Sequence, residues 1–381
     1  MKITAKKVLT SAGWAEKQTV EVNKQHIVSI RQANDDELNQ CLDGYLIPGF
    51  FDTQVNGGGG ILFNATTSYE GICQMADAHL QYGTTSMLPT IITDNADVMA
   101  KAADAISACI AQQHPQIAGV HFEGPFLSVA KKGVHSAELI RPPSDRELAI
   151  LCRKDIGRVL TTLAPEHTDA GLIRELVSEN VVVALGHTNA SYEQARAALD
   201  AGASGFTHLY NAMSAMTSRA PGVVGAALSD EDSFCGLIVD HHHVHPASAR
   251  AAIRAKSAGR MMLVTDAMAH VGSSLTRMPF FDREIMRSGD KLTTADGTLA
   301  GSCLDMLGAV INTHRDLGFT LEQAVMMAAA TPAAFMGLAQ QQGSLAPGQQ
   351  ASMLLLDSAS LQIRQTWLAG KAVNLPRRSE S

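Results

Sequence analysis

The sequence predicts an α/β fold, a (β/α)8 TIM barrel carrying a small β-sandwich domain built from both chain ends, on three observations. Eight candidate strands, beginning near Leu46, Thr84, Ile117, Val159, Val181, Ser204, Cys235 and Met261, alternate with stretches of helical spacing. Several of them are continuous apolar runs, as expected of strands buried on both faces. The two ends of the chain read instead as alternating β structure, and chain ends commonly lie close together.

Near the start, Thr19-Val20-Glu21-Val22 alternates, Asn23-Lys24-Gln25 reads as a turn, and His26-Ile27-Val28-Ser29-Ile30 alternates again. Near the end, the turn cluster from Gly343 to Gly348 precedes the apolar run Met353-Leu354-Leu355-Leu356 and then Leu361-Gln362-Ile363. Residues 1–47 and 346–381 are therefore expected to form the composite small domain, and 48–345 the barrel. Within the barrel, Val98, Ala102, Ile106, Cys109 and Ile110 recur at helical spacing, and a second helix is expected from about Ser191 to Ala201. Its opening, Ser191-Tyr192-Glu193-Gln194, has the pattern of a capping box. A doubly wound open sheet is the alternative, but no Gly-x-Gly-x-x-Gly follows an early strand. The run Gly57-Gly58-Gly59-Gly60 lacks the spacing of a dinucleotide loop and the Gly-Lys-Ser/Thr of a P-loop. Only the tail from Pro376 to Ser381 reads as disordered.

Composition narrows the function. The net charge is -7 and no basic stripe occurs, which disfavours nucleic-acid binding but leaves room for a small phosphorylated ligand. No segment approaches the roughly 18 consecutive apolar residues of a membrane span, and the N-terminal residues lack the apolar stretch of a signal peptide. The six cysteines form no Cys-x-x-Cys pair, so reduced, mostly buried thiols in a cytoplasmic protein are expected.

The chemistry lies at strand ends, where this fold builds its active sites. Glu123, His187 and His208 follow the third, fifth and sixth candidate strands, and Asp266 ends the eighth. Singly, each could be a core or capping residue. Together, one carboxylate and two imidazoles suit zinc, and also iron, cobalt or manganese, with a coordination position left for water. An aspartate beside such a water can take its proton and return it to a leaving amine. Past the sixth strand, Asn211 can bond ligand hydroxyls, and Arg219 can hold a phosphate through its planar fork. In Asp240-His241-His242-His243-Val244-His245, neighbouring side chains point in alternate directions, and His243 is preferred as a substrate contact. The first strand carries Gln54 and Asn56 at the spacing where many metal hydrolases have His-x-His. The fourth ends in Ala164-Pro165-Glu166-His167, without a bridging lysine. Amides are poor zinc ligands, so one metal is expected and Gln54 and Asn56 are read as vestigial second-metal positions.

These segments resemble the amidohydrolase superfamily, and within it the N-acetylglucosamine-6-phosphate deacetylase family. The resemblance rests on Pro48-Gly49-Phe50-Phe51-Asp52 with Gln54-x-Asn56-Gly57, His121-Phe122-Glu123-Gly124-Pro125-Phe126, Lys132-Gly133-Val134-His135, Leu185-Gly186-His187-Thr188, the run from Thr207 to Met213, Val264-Thr265-Asp266-Ala267 and Leu299-Ala300-Gly301-Ser302. It implies deacetylation of N-acetyl-D-glucosamine 6-phosphate to D-glucosamine 6-phosphate and acetate. Glu123, His187 and His208 would bind one divalent metal per subunit, expected to be zinc. Asp266 would be the general base and acid, and His135 would polarise the acetyl carbonyl and orient the sugar. Asn211, Ala212, Arg219, His243 and the loop Leu299, Ala300 and Gly301 match substrate-binding positions. Arg219 is expected to reach the phosphate of a neighbouring subunit, which implies a homodimer.

The loop Asp240-His241-His242-His243 departs from the family's frequent Asp-Gly-x-His and looks like relatives acting on N-acetyl-D-galactosamine 6-phosphate, the C4 epimer. Two rivals compete with this reading. A dihydroorotase-like or dipeptidase-like hydrolase predicts the His-x-His and lysine that are missing here. A catalytically inactive scaffold predicts loss of a metal ligand or of the strand-eight aspartate, and all four residues are present.

Overall fold

The computed structural model describes residues 1–281 and 283–374, so the expected disorder from Pro376 to Ser381 lies outside the described residues. The barrel consists of β1 (Phe50–Val55), β2 (Thr84–Ile92), β3 (Gly119–Glu123), β4 (Arg158–Leu163), β5 (Val181–Leu185), β6 (Gly205–Phe206), β7 (Phe234–Leu237) and β8 (Met261–Leu263). Each strand pairs in parallel with the next. The seam between β8 and β1 is closed by a bridge from Val55 to Ala267 and by Asp266 N donating to the Gln54 carbonyl at 3.0 Å. Two of the outer helices match the spacing in the sequence. One is Ala96–Ala111. The other is Tyr192–Asp200, whose cap Ser191 and returning Gln194 complete the capping box.

The chain ends form a separate, mostly stranded domain, the β-sandwich expected from the sequence. Its strands Lys2–Thr10, Gly13–Asn23, His26–Gln32 and Leu42–Pro48 join Met353–Leu356, Ile363–Leu368 and Lys371–Val373 in one seven-stranded sheet. Antiparallel pairing of Leu42–Pro48 with Met353–Leu356 ties the two ends together. The first barrel strand, placed near Leu46 by the sequence, begins instead at Phe50. Leu46 packs into the small domain's core, while its neighbour Ile47 packs into the barrel's shell. A strand wedged between two cores is apolar on both faces, so it reads like a barrel strand.

Side chains from alternate positions fill the lumen. Phe51, Leu88, Leu160, Ala184, Phe234 and Met262 pack against Phe335 and Met336, which plug the barrel beneath the strands. Gly205 allows this, because a Cβ there would lie 2.6 Å from the Phe335 ring. A three-stranded sheet (Arg277–Phe280, Arg283–Ser288 and Lys291–Thr293), which the sequence reading did not anticipate, lies after β8. Its Met278, Phe280, Ile285 and Leu292 pack with Met268 and Ala300.

Among the described residues, no helix is long and apolar enough to cross a membrane. None of the six cysteines is paired; Cys109 and Cys235 are buried, whereas the other four are only half-buried, contrary to expectation.

Phe335 is 7% exposed and stacks on Phe234 at 5.4 Å. Phe335→Ala should cost about 3–5 kcal/mol through the cavity it leaves. Chemical denaturation will measure this, and a loss below about 1 kcal/mol would mean that the lumen collapses around the gap.

Candidate active site

Glu123 is the last residue of β3, while His187, His208 and Asp266 lie two or three residues past the ends of β5, β6 and β8. Their backbones turn sharply there, with φ of +48° at His187, +31° at His208 and +51° at Asp266. Such conformations cost about 1–3 kcal/mol each and collect at functional sites. They bring the side chains to one point. His208 Nε2 lies 3.0 Å from Glu123 Oε1 and 3.0 Å from His187 Nε2, and His187 Nε2 lies 3.3 Å from Glu123 Oε1.

His187 Nδ1 sits 2.9 Å from the Lys131 carbonyl oxygen. A carbonyl only accepts, so Nδ1 carries the proton and Nε2 faces the cluster with its lone pair. That is the anchoring typical of a metal-bound histidine. A carboxylate oxygen and imidazole nitrogens converging in a buried pocket fit a divalent cation of the zinc type. His135 lies close as well: Glu123, His135 and His187 offer ligand atoms within 4.8 Å of one another. His135 Nε2 is nevertheless 4.0 Å from the carboxylate, against 3.0 Å for His208, so His208 is the better third ligand.

The amides expected as vestigial metal positions hold the carboxylates. Gln54 Nε2 donates to Glu123 Oε1 at 3.0 Å and to Asp266 Oδ1 at 3.2 Å, and Asn56 Nδ2 donates to Asp266 Oδ1 at 2.6 Å. Burial, and then the charge of Glu123, push the Asp266 carboxyl up to about 6. Burial would also raise Glu123, but His187 and His208 outweigh it and keep this carboxyl ionised. Burial, and then the neighbouring His187, lower His135 to about 3, so its ring is neutral. Thr93 holds the ring at Nδ1, with its Oγ1 at 2.8 Å and its backbone N at 3.4 Å, so Nε2 is the nitrogen that faces the cluster.

A cavity of about 220 Å³ joins this cluster to Asn211, Ala212, His243, Leu299 and Gly301. Asp240 Oδ2 takes His243 Nδ1 at 2.6 Å, so a ligand meets the other ring nitrogen. His241 and His242 turn elsewhere, to Asp316 at 2.9 Å and Asp290 at 2.8 Å. Ala300 lines no part of the cavity and packs into the apolar cluster of the three-stranded sheet. Arg219 also lies outside it, exposed on a loop beside Met216, itself 59% exposed.

The sequence reading missed the Gln54 bridge, Thr93 against His135, and the apolar wall of Ile92, Met268 and Phe280. The Gln54-x-Asn56 spacing was the available signal for the bridge; Phe280 carries none. Gln54→Leu removes one donor from two carboxylates at once. It should lower metal affinity or turnover about 10–100-fold while the fold persists. If both stay at wild-type values, the bridge is incidental.

The amidohydrolase family model matches residues 45–373. The chain is 46% identical over 371 residues to an N-acetylgalactosamine-6-phosphate deacetylase of Shewanella sp. (strain ANA-3), covering 96% of this chain and 94% of that one. It is 34% identical over 381 residues to an N-acetylglucosamine-6-phosphate deacetylase of Vibrio furnissii, covering 97% and 94%. Among solved structures, N-acetylglucosamine-6-phosphate deacetylase of Pasteurella multocida matches with a TM-score of 0.93 at 33% identity, over 98% of this chain and 100% of that one.

Proposed function

Because this chain belongs to the amidohydrolase family, we propose that it deacetylates N-acetyl-D-glucosamine 6-phosphate, releasing acetate and D-glucosamine 6-phosphate. The observation that carries this is the meeting of Glu123, His187 and His208 within 3.3 Å in a cavity that also holds Asp266. The names of the relatives support the substrate. One divalent metal per subunit, zinc in our reading, would polarise the acetyl carbonyl and ionise a water near neutral pH.

The chain's own groups do the rest. Asp266 takes the proton of the attacking water and passes it to the departing amine; its raised carboxyl suits that shuttle. Asn56 and Gln54 bond only Oδ1, so Oδ2 is left for the water. His135 donates through Nε2 to the carbonyl oxygen as negative charge develops there. Asn211, the Ala212 backbone, His243 and the Leu299 to Gly301 loop hold the sugar. Arg219 makes no hydrogen bond or ion pair within its own chain among the described residues. We assign it to the phosphate of a neighbouring subunit in a cytoplasmic homodimer. The division into 1–47 with 346–381 and 48–345 belongs to the same reading.

A second reading, the same reaction on N-acetyl-D-galactosamine 6-phosphate, is favoured by His241-His242 after Asp240 and by the name of the 46% identical relative. Acetate release from the two sugars, run in parallel on protein of counted metal content, decides between them. In the same assay Arg219→Ala should raise KM for the phosphorylated sugar far more than for the unphosphorylated one. Equal effects would remove Arg219 from the phosphate. No release from either sugar by metal-loaded protein would overturn the assignment.

Asp266 also sets the pH profile. A base must be ionised, so kcat/KM should fall about tenfold per pH unit below about 6, the value to which burial raises this carboxyl. A bound cation would shift that limb downward. Asp266→Asn should keep its metal and lose about 10²–10⁴-fold in turnover. Loss of metal instead would make Asp266 a primary ligand.

A further inference from the structure

The lumen beneath the proposed metal site is not uniformly apolar. Side chains two apart on a strand share a face, so His121 points inward one layer below Glu123 on β3. It is 1% exposed. Its Nε2 lies 2.8 Å from Thr162 Oγ1 on β4, and Thr162 Oγ1 lies 2.6 Å from Thr207 Oγ1. Thr207 immediately precedes His208. On its other side Thr90 Oγ1 of β2 lies 3.4 Å from Nδ1.

The imidazole Nε2 and the hydroxyls of Thr162 and Thr207 form one continuous chain of two short hydrogen bonds. A hydroxyl both donates and accepts, so Thr162 can bond the ring and Thr207 at once. Barrels of this type normally fill the lumen with branched apolar side chains. An imidazole there carries a desolvation cost, whereas a fully satisfied buried network fixes geometry.

The two histidines of the site differ in what holds them. His187 Nδ1 is anchored on the Lys131 carbonyl. His208 Nδ1 bonds no other described residue. The far side of the His208 ring therefore depends on where its backbone places it, and the residue before it, Thr207, is tied by its side chain to Thr162. Resting on the metal site proposed above, we propose that His121 is a positioning residue, setting His208 through Thr162 and Thr207 and Glu123 through their shared strand.

The test reads metal affinity in the absence of any sugar, by competition between the full-length chain and a chelator for zinc. His121→Phe should raise the zinc dissociation constant about 10–100-fold. His121→Gln, whose amide can still meet Thr162, should recover most of that loss. Thr207→Val should move affinity in the same direction from the other end of the chain of groups, and it decides the matter if His121→Phe does not fold. Zinc affinity unchanged in His121→Phe and Thr207→Val, or falling only in step with the melting temperature, would overturn the proposal and leave His121 a packing residue. A wild-type chain that takes up no zinc would overturn the metal site itself.

Discussion

A barrel is free of sheet edges only when its last strand meets its first, and in this chain that seam turns on one buried carboxylate. Asp52 on β1 accepts from the Gln54 N–H at 3.1 Å, the Thr265 N–H at 3.3 Å and the Thr265 hydroxyl at 2.5 Å. Each donor is a neighbour of a site residue: Gln54 itself, and Thr265 next to Asp266. Just above, Asp266 N donates to the Gln54 carbonyl and Asn56 N to the Ala267 carbonyl. Closing the barrel and bringing the Gln54 amide to Asp266 are thus one structural event. Burial raises the Asp52 carboxyl to about 7 even against these donors, so the seam holds a group that is costly to ionise.

Above the seam, two carboxylates share one cavity and are pushed in opposite directions. Two neighbouring imidazoles hold Glu123 ionised, while Asp266 sees the Glu123 charge and burial, with amide donors on one oxygen only. A pair of titratable groups pushed apart in this way divides into one that stays charged and one that exchanges protons. The amides at 54 and 56 fit that division. They donate to a carboxylate without bringing a second positive charge, which would lower the Asp266 carboxyl.

Much of this was legible in the residues. Barrel strands announced themselves as apolar runs, and four of them ended in Glu123, His187, His208 or Asp266. What the runs hid was location: Leu42–Pro48 is as apolar as a barrel strand because Leu46 and Ile47 serve different cores. The three-stranded sheet after β8 was invisible because its alternation is short and interrupted by charged residues, as in Arg283–Ser288. Its contribution to the site, Phe280, comes from tertiary packing that no local pattern encodes. His241 and His242 gave no sign of where they turn, since their carboxylate partners lie 75 and 48 residues away in the chain. His121 sat in a quoted motif without a role, since a histidine two before a ligand could face the lumen for packing alone.

Three of the four reactive residues occupy left-handed backbone, and such strain persists only where the surroundings over-determine it. His187 meets that condition: its carbonyl accepts from Ser128 N at 2.8 Å, the next N–H reaches the Ala212 carbonyl, and its ring is tied to Lys131. Asp266 does too, with its N–H on Gln54 and its carbonyl taking Ser302 N at 2.9 Å. His208 is held through its neighbours: Thr207 N reaches the Leu185 carbonyl at 3.0 Å, Leu209 N the Gly236 carbonyl at 2.8 Å, and its own carbonyl takes Asn211. What it lacks, among the described residues, is a partner for its ring Nδ1. His208 is the point where the polar layer of Thr207, Thr162 and His121 rises from the lumen, and where added rigidity bears on the geometry of the site.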